Sequence, residues 1–286
     1  MTDLVANPRL TGRTGEREPW LQNRVALITG GSSGIGLATA LRFVAAGARG
    51  VAILARGLDR LSAAAAEIDS HAGQKVALPI RCDTTQEAQV VAAFEKCVET
   101  FGDLHVVVSS AGTATSGALD ETSLDLWNEM MGVHATGYFL VARQAVRTFK
   151  RLAHGGSLVF VASDNGIKAG KRFLAYNAGK AAELHMARCI AEEVGPFGIR
   201  VNSVLPGAVF GRSAFWTPEL RAQRAANYGF DPGLLEDEYK KNTALRATIL
   251  PEEVAEVITF LASDLACKTT GAAFSIDGGG ATGYVR

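Results

Sequence analysis

One short stretch constrains this chain more than any other: Thr29-Gly30-Gly31-Ser32-Ser33-Gly34-Ile35-Gly36. It follows the apolar run Val25–Thr29 (VALIT) and leads into an Ala-rich stretch from about Gly34 to Ala46. So short an apolar run, ending in glycines, predicts a strand buried on both faces. A glycine-rich turn between such a strand and a helix combines close backbone approach, exposed N–H groups and a helix N-terminus. A dinucleotide pyrophosphate needs all three. Glycines also make ordinary turns, so the signal lies in the placement between strand and helix. Gly30, Gly34 and Gly36 supply the space, and Ser32, Ser33 and Ile35 complete the turn.

The alternation continues. Strands are expected at 51–55, 76–81, 104–109, 157–162, 199–205 and 273–276. Helices are expected at 59–70, 85–101, 124–151, 176–194 and 251–262. The last begins Pro-Glu-Glu, where proline fits the first turn and the acids suit the helix dipole. Strand and helix in turn predict an α/β fold, a doubly wound parallel sheet, in a single domain. Residues 1–22 are aperiodic and read as an arm, which leaves 23–286 as the domain. Residues 207–250 are too long for an ordinary connection and read as a substrate lid.

Composition narrows the class. The 286 residues carry 29 basic and 29 acidic side chains, so the net charge is zero. That argues against a nucleic-acid partner, which needs a basic surplus. A hydrophobic content of 48% fits a packed core, and no apolar run reaches membrane-spanning length. The N-terminus lacks an apolar signal region. Cys82, Cys97, Cys189 and Cys267 are scattered, which predicts neither a metal site nor a disulfide framework and suggests a reducing, cytoplasmic setting.

Three further places carry chemistry. The second strand ends Leu54-Ala55-Arg56, with no acid to bond a ribose 2′-hydroxyl. Arg56 suits a 2′-phosphate through its guanidinium fork, which favours NADP with NAD as the alternative; a solvated surface Arg is the other reading. Asp83 stands where it would meet the adenine edge or cap the third helix. Tyr176 and Lys180 are four apart on one helix face. An ammonium beside a phenol favours the phenolate, which makes the Tyr a proton-transfer group. On an isolated YxxxK the bland reading, an exposed face, prevails. Here Ser163 ends the fifth strand, where open α/β sheets place ligands.

Taken together, TGGSSGIG, Ser110-Ala111-Gly112, Ser163, Tyr176-Asn177-Ala178-Gly179-Lys180 and Pro206-Gly207 resemble the short-chain dehydrogenase/reductase family over about residues 22–280. The resemblance implies a single Rossmann-type domain in a homo-oligomer, a tetramer or dimer, that moves hydride between a nicotinamide and an alcohol/carbonyl pair of a small molecule. Carried over, Tyr176 is the general acid/base. Lys180 lowers its pKa and holds the nicotinamide ribose, and Ser163 orients the carbonyl. Gly30 to Gly36, Ser110, Ala111, Gly112, Pro206, Gly207 and Val209 line the cofactor. Two positions depart from the family: Ser110 and His134 each replace an Asn. His134 either fills that space, keeps the backbone role of the Asn, or joins the proton relay.

Stretches such as Thr136-Gly137-Tyr138-Phe139-Leu140-Val141 and Lys268-Thr269-Thr270-Gly271 are similar to the dehydrogenase half of bifunctional rhamnulose-1-phosphate aldolase/alcohol dehydrogenases. That similarity implies a small polyol, sugar or hydroxyaldehyde. The pocket residues expected on the substrate are Asp164, Arg212 and Trp216, beside Ser163 and Tyr176; Trp216 would equally suit a cyclic ketone. A nucleotide-binding scaffold is the competing class, supported only by Ser110 and His134. The tail Tyr284-Val285-Arg286 is a candidate for reaching a neighbouring subunit.

Overall fold

The computed structural model describes residues 20–213 and 215–280. The strands are β1 (Val25–Thr29), β2 (Gly50–Ala55), β3 (Ala77–Arg81), β4 (Val106–Ser109), β5 (Gly156–Val161), β6 (Ile199–Pro206) and β7 (Ala273–Ile276). They form one sheet in the order β3-β2-β1-β4-β5-β6-β7, and every pairing is parallel. Order reverses beside β1, so the crevice at the strand C-termini opens there.

The helices are α1 (Gly34–Ala45), α2 (Leu58–Ala72), α3 (Glu87–Phe101), α4 (Leu124–Met131), α5 (Tyr138–Leu152), α6 (Leu174–Val194), α7 (Pro218–Tyr228), α8 (Leu235–Lys241) and α9 (Pro251–Ala262). Each strand feeds both faces with period two. Ala26 and Ile28 enter a core with Phe43 of α1, Leu61 of α2 and Ile258 of α9. Val25 and Leu27 enter the other with Phe94 of α3, Tyr138 and Phe149 of α5 and Ala191 of α6. Two covered faces explain why the strands read as continuous apolar runs. The two thiols inside are structural: burial pushes Cys82 up to about 11 and Cys97 up to about 12.

Residues 124–151 are helical as expected, and a π-turn at Gly132–Gly137 joins α4 to α5. His134 lies within that turn and is fully buried. The expected lid holds α7 and α8. Thr217 caps α7 by accepting from the Leu220 N–H at 3.2 Å, and Pro218 occupies its first turn. Of the expected arm, Leu21 is buried and its N–H bonds Ala46. The rest of the arm, residues 1–19, and the tail 281–286 lie outside the described residues. Among the described residues, no helix is long and apolar enough to cross a membrane.

Candidate active site

The C-terminal ends of β1, β4, β5 and β6 open into one cleft of about 760 Å³. At its nucleotide end the glycines leave no room for side chains. A Cβ on Gly36 would stand 2.4 Å from the Gly30 carbonyl oxygen. Gly30 has φ +68°, and a Cβ there would meet the Ser110 oxygen at 2.7 Å. The backbone is therefore drawn tight beneath the first turn of α1, whose N–H groups have no intrahelical partners. The Gly34 N–H donates to the Arg212 carbonyl at 2.9 Å, which ties the start of the lid to this turn. Thr29 Oγ1 accepts from the N–H groups of Ser110 and Ala111 at 2.9 and 3.0 Å and so anchors the β4 loop to β1. Gly112 follows, and Pro206, Gly207 and Val209 line the opposite wall.

This cradle fits a dinucleotide. Arg56 is exposed at the end of β2 and lines the cleft. Arg60, in the first turn of α2, lines it as well, and neither makes an ion pair among the described residues. The sequence reading missed Arg60; its signal was the i, i+4 spacing from Arg56 across the helix start. Asp83 lines the cleft, and its carboxylate also accepts from the Thr85 N–H and hydroxyl at 3.0 and 2.8 Å. It shapes the turn before α3, whose N-cap is Gln86.

Tyr176, Lys180 and Glu183 fall at i, i+4 and i+7 on one buried stripe of α6, which Ala187 and Ala191 continue as apolar packing. Lys180 is 4% exposed. Its Nζ donates to the Val161 carbonyl at 3.0 Å and to Glu183 Oε2 at 3.1 Å. Glu183 Oε1 lies 2.8 Å from His134 Nδ1, and the other ring nitrogen lies 2.7 Å from the Thr113 carbonyl. The His134 ring stands edge-on to Tyr176 at 5.3 Å. Gly179 makes room for it: a Cβ there would come 2.6 Å from that of His134. Glu183 was missed in the sequence, although its place on the Tyr176–Lys180 stripe was readable.

Burial raises the Tyr176 phenol; the nearby Ser163 hydroxyl pulls the other way, and the charges of Glu183 and Asp164 push it further up. Burial lowers Lys180, and Glu183 opposes that. In this state the phenol is neutral and able to give a proton. Ser163 Oγ accepts from the Asn165 N–H and donates to Asp164 Oδ1, both at 3.1 Å. Asp164 in turn holds Lys168. Burial raises the Asp164 carboxyl, and Lys168 counters it.

Of the expected substrate residues, Ser163, Asp164, Tyr176 and Trp216 line the cleft. Arg212 does not: it turns outward and forks onto Glu67 of α2 at 2.7 and 2.8 Å. Trp216 donates to the Val209 carbonyl at 2.8 Å and stacks on Phe210 at 5.1 Å. Phe173, Phe215 and Tyr239 complete an aromatic wall. Deep in it lies Arg224 of α7, a residue that had drawn no notice in the sequence.

Away from the cleft, Asp103, His105 and His154 bring ligand atoms together. The Val25 N–H donates to His105 Nδ1 at 3.1 Å, so Nε2 carries the ring proton and faces Asp103 at 3.3 Å. That nitrogen has no lone pair for a metal, and the trio is a hydrogen-bonded clasp.

Comparison with known proteins agrees with this architecture. Residues 30–281 match the family described as Enoyl-(Acyl carrier protein) reductase. An uncharacterized oxidoreductase of Bacillus subtilis, YuxG, is 47% identical over 94% of this chain, which spans only 39% of that protein's length. A 3-alpha-(or 20-beta)-hydroxysteroid dehydrogenase of Mycobacterium bovis is 34% identical, covering 93% of this chain and 92% of the relative. A short-chain type dehydrogenase/reductase from Mycobacterium marinum, solved by crystallography, superposes with a TM-score of 0.80 at 33% identity, over 90% of this chain and 95% of its own. The chain belongs to the short-chain dehydrogenase/reductase family. It is an oxidoreductase of that class, whose members use a nicotinamide dinucleotide.

Proposed function

We propose that this protein is an NADP(H)-dependent alcohol dehydrogenase or ketoreductase that interconverts a secondary alcohol and a carbonyl on a small cyclic or polar molecule. The observation that carries the reading is the buried set of Ser163, Tyr176 and Lys180 facing the glycine cradle across a single cleft. The first turn of α1 with Gly30, Ser32, Ser33, Gly34, Ile35 and Gly36 would hold the pyrophosphate. Arg56 and Arg60 would hold a 2′-phosphate, and Lys180 and Val209 would meet the nicotinamide end. When bound, the dihydronicotinamide supplies the hydride.

The remaining steps belong to the chain. Ser163 bonds the carbonyl oxygen and, with Tyr176, polarises it. Tyr176, kept neutral by burial, gives its proton to that oxygen as charge develops there. Lys180, clamped by Val161 and Glu183, keeps a positive charge beside the phenolate left behind. His134 and Glu183 keep that charge in place. The aromatic lid excludes water. In oxidation the same groups run in reverse.

A second reading, NAD-dependent oxidation of a small polyol or hydroxyaldehyde, is favoured by the polar corner of Asp164, Asn165 and Lys168 beside Ser163. None of the relatives named above bears the rhamnulose-1-phosphate aldolase name, so this reading rests on the sequence stretches and that corner. The proposal includes a homotetramer or homodimer in the cytoplasm; exposed Phe139 and Leu124 on α5 and α4 support assembly through that face.

Fluorescence titration with NADPH and NADH tests the cofactor. Tighter NADPH binding, weakened by Arg56→Ala while NADH binding is unchanged, supports the reading. Preference for NADH in the unaltered protein favours the polyol reading.

A further inference from the structure

Arg224 is 4% exposed, lines the same cleft as Tyr176, and has no carboxylate partner among the described residues. A buried guanidinium is ordinarily paired with an acid, because water no longer solvates its charge. Here its N–H groups go only to neutral oxygens. Nε and Nη2 donate to the Tyr239 hydroxyl at 3.1 and 2.9 Å, Nη2 also to the Tyr228 hydroxyl at 3.1 Å, and Nη1 to the Lys171 carbonyl at 3.3 Å. The Phe173 and Tyr228 rings face the guanidinium carbon at 4.4 and 5.0 Å, which fixes the plane of the fork.

Each phenol accepts from Arg224, so its own proton points elsewhere, and neither hydroxyl donates to a described residue. The guanidinium itself keeps an unused N–H. The result is a converging set of donors around an uncompensated cation. The charges near it in the cleft are already matched, Lys168 with Asp164 and Glu238 with Lys241, and the unpaired Arg56 and Arg60 line the nucleotide end. Phe173 touches both Arg224 and Tyr176, its ring centre 4.7 Å from that of Tyr176, so the two polar ends of the cleft stand one aromatic ring apart.

We propose that Arg224, Tyr228 and Tyr239 form an anion subsite, and that the substrate carries a carboxylate or phosphate about one ring's breadth from its reacting carbonyl. This rests on Ser163 and Tyr176 being the reacting end. It names the substrate class that the reading above leaves open: a keto acid or keto phosphate, or the corresponding hydroxy compound. The anion replaces the missing counterion, and the two phenol protons complete its shell with charge-assisted bonds.

The test pairs p-acetylbenzoate with its methyl ester, the same ketone with and without the charge. Binding to the enzyme–NADPH complex is followed by calorimetry, and turnover by coenzyme oxidation. The proposal expects the acid to be favoured over the ester by about 10- to 100-fold in affinity and kcat/KM, the scale of one charged hydrogen-bonded group. Arg224→Met should collapse that ratio toward unity, while Arg224→Lys keeps part of it. Should Arg224→Met not fold, Tyr239→Phe should still narrow the ratio several-fold, by the loss of one hydrogen bond.

Equal binding of acid and ester by the unaltered protein overturns the proposal. So does an unchanged ratio in the variants that fold, which would make Arg224 only a clasp between α7 and α8. Arg224-dependent binding of the acid without turnover supports the subsite and counts against the oxidoreductase reading for this ketone. Absence of binding by either probe overturns the subsite.

Discussion

His134 and Glu183 meet at 2.8 Å, and neither side chain has any exposed surface. The two ring nitrogens of His134 lie against Glu183 and the Thr113 carbonyl, so the ring is held at both ends. Glu183 bridges His134 and the Lys180 ammonium inside the protein. Removing one partner of a buried pair leaves the other uncompensated, which costs about 3–5 kcal/mol. Glu183→Ala is therefore expected to lower the denaturant midpoint strongly. The double variant His134→Asn/Glu183→Leu should cost less than the two single changes added together, and a double-mutant cycle in denaturant measures that coupling. Strict additivity would mean that the two side chains do not act on each other.

How much of this was legible follows from what each residue does. Ser163, Tyr176 and Lys180 stood out because their spacing and their places at a strand end and on a helix face mark a chemistry. The strands stood out because a doubly covered sheet is written as short apolar runs. Glu183 and Arg224 read as ordinary polar positions on helices, since burial of a charge depends on elements distant in the chain. The π-turn at Gly132–Gly137 left no trace in hydrophobic period, because one added residue shifts the pattern by less than a turn. Arg212 was assigned to the cleft from its place in the lid, but a neighbouring acid, Glu67, draws it outward.

That outward pair gives a second prediction. Arg212 is mostly exposed, so its ion pair contributes little. Arg212→Ala is expected to leave the KM for a carbonyl substrate unchanged. A rise in KM would put the side chain back over the substrate.

The cradle gives a third. A Cβ at position 36 would press on the Gly30 carbonyl oxygen, which is backbone and has nowhere to rotate. Gly36→Ala is expected to weaken coenzyme binding by about 10- to 100-fold, the scale of one lost hydrogen bond to a charged phosphate. Circular dichroism would check that the fold persists. Undiminished NADPH affinity would show that the pyrophosphate lies elsewhere.

Tyr176 gives a fourth. Burial disfavours the phenolate and raises the pKa, with Glu183 and Asp164 adding to the effect and Ser163 and Arg224 opposing it. In the protein without coenzyme, the ultraviolet difference between the unaltered chain and Tyr176→Phe should show no phenolate until pH exceeds the ordinary tyrosine range, near about 10. The neutral form prevails below that pH, so proton donation during reduction should persist through neutral pH. A phenolate signal at or below the ordinary range would reverse the sign of the burial argument.

The central claim is that Tyr176 moves the proton in a hydride-transfer reaction, and turnover measured beside coenzyme binding tests it most directly. NADPH oxidation is followed with a panel of ketones for the unaltered protein and for Tyr176→Phe, and NADPH affinity is titrated for both. The account predicts turnover in the unaltered protein, loss of it by about 100-fold or more in Tyr176→Phe, and coenzyme affinity that stays the same. Turnover that survives in Tyr176→Phe with coenzyme bound would contradict it.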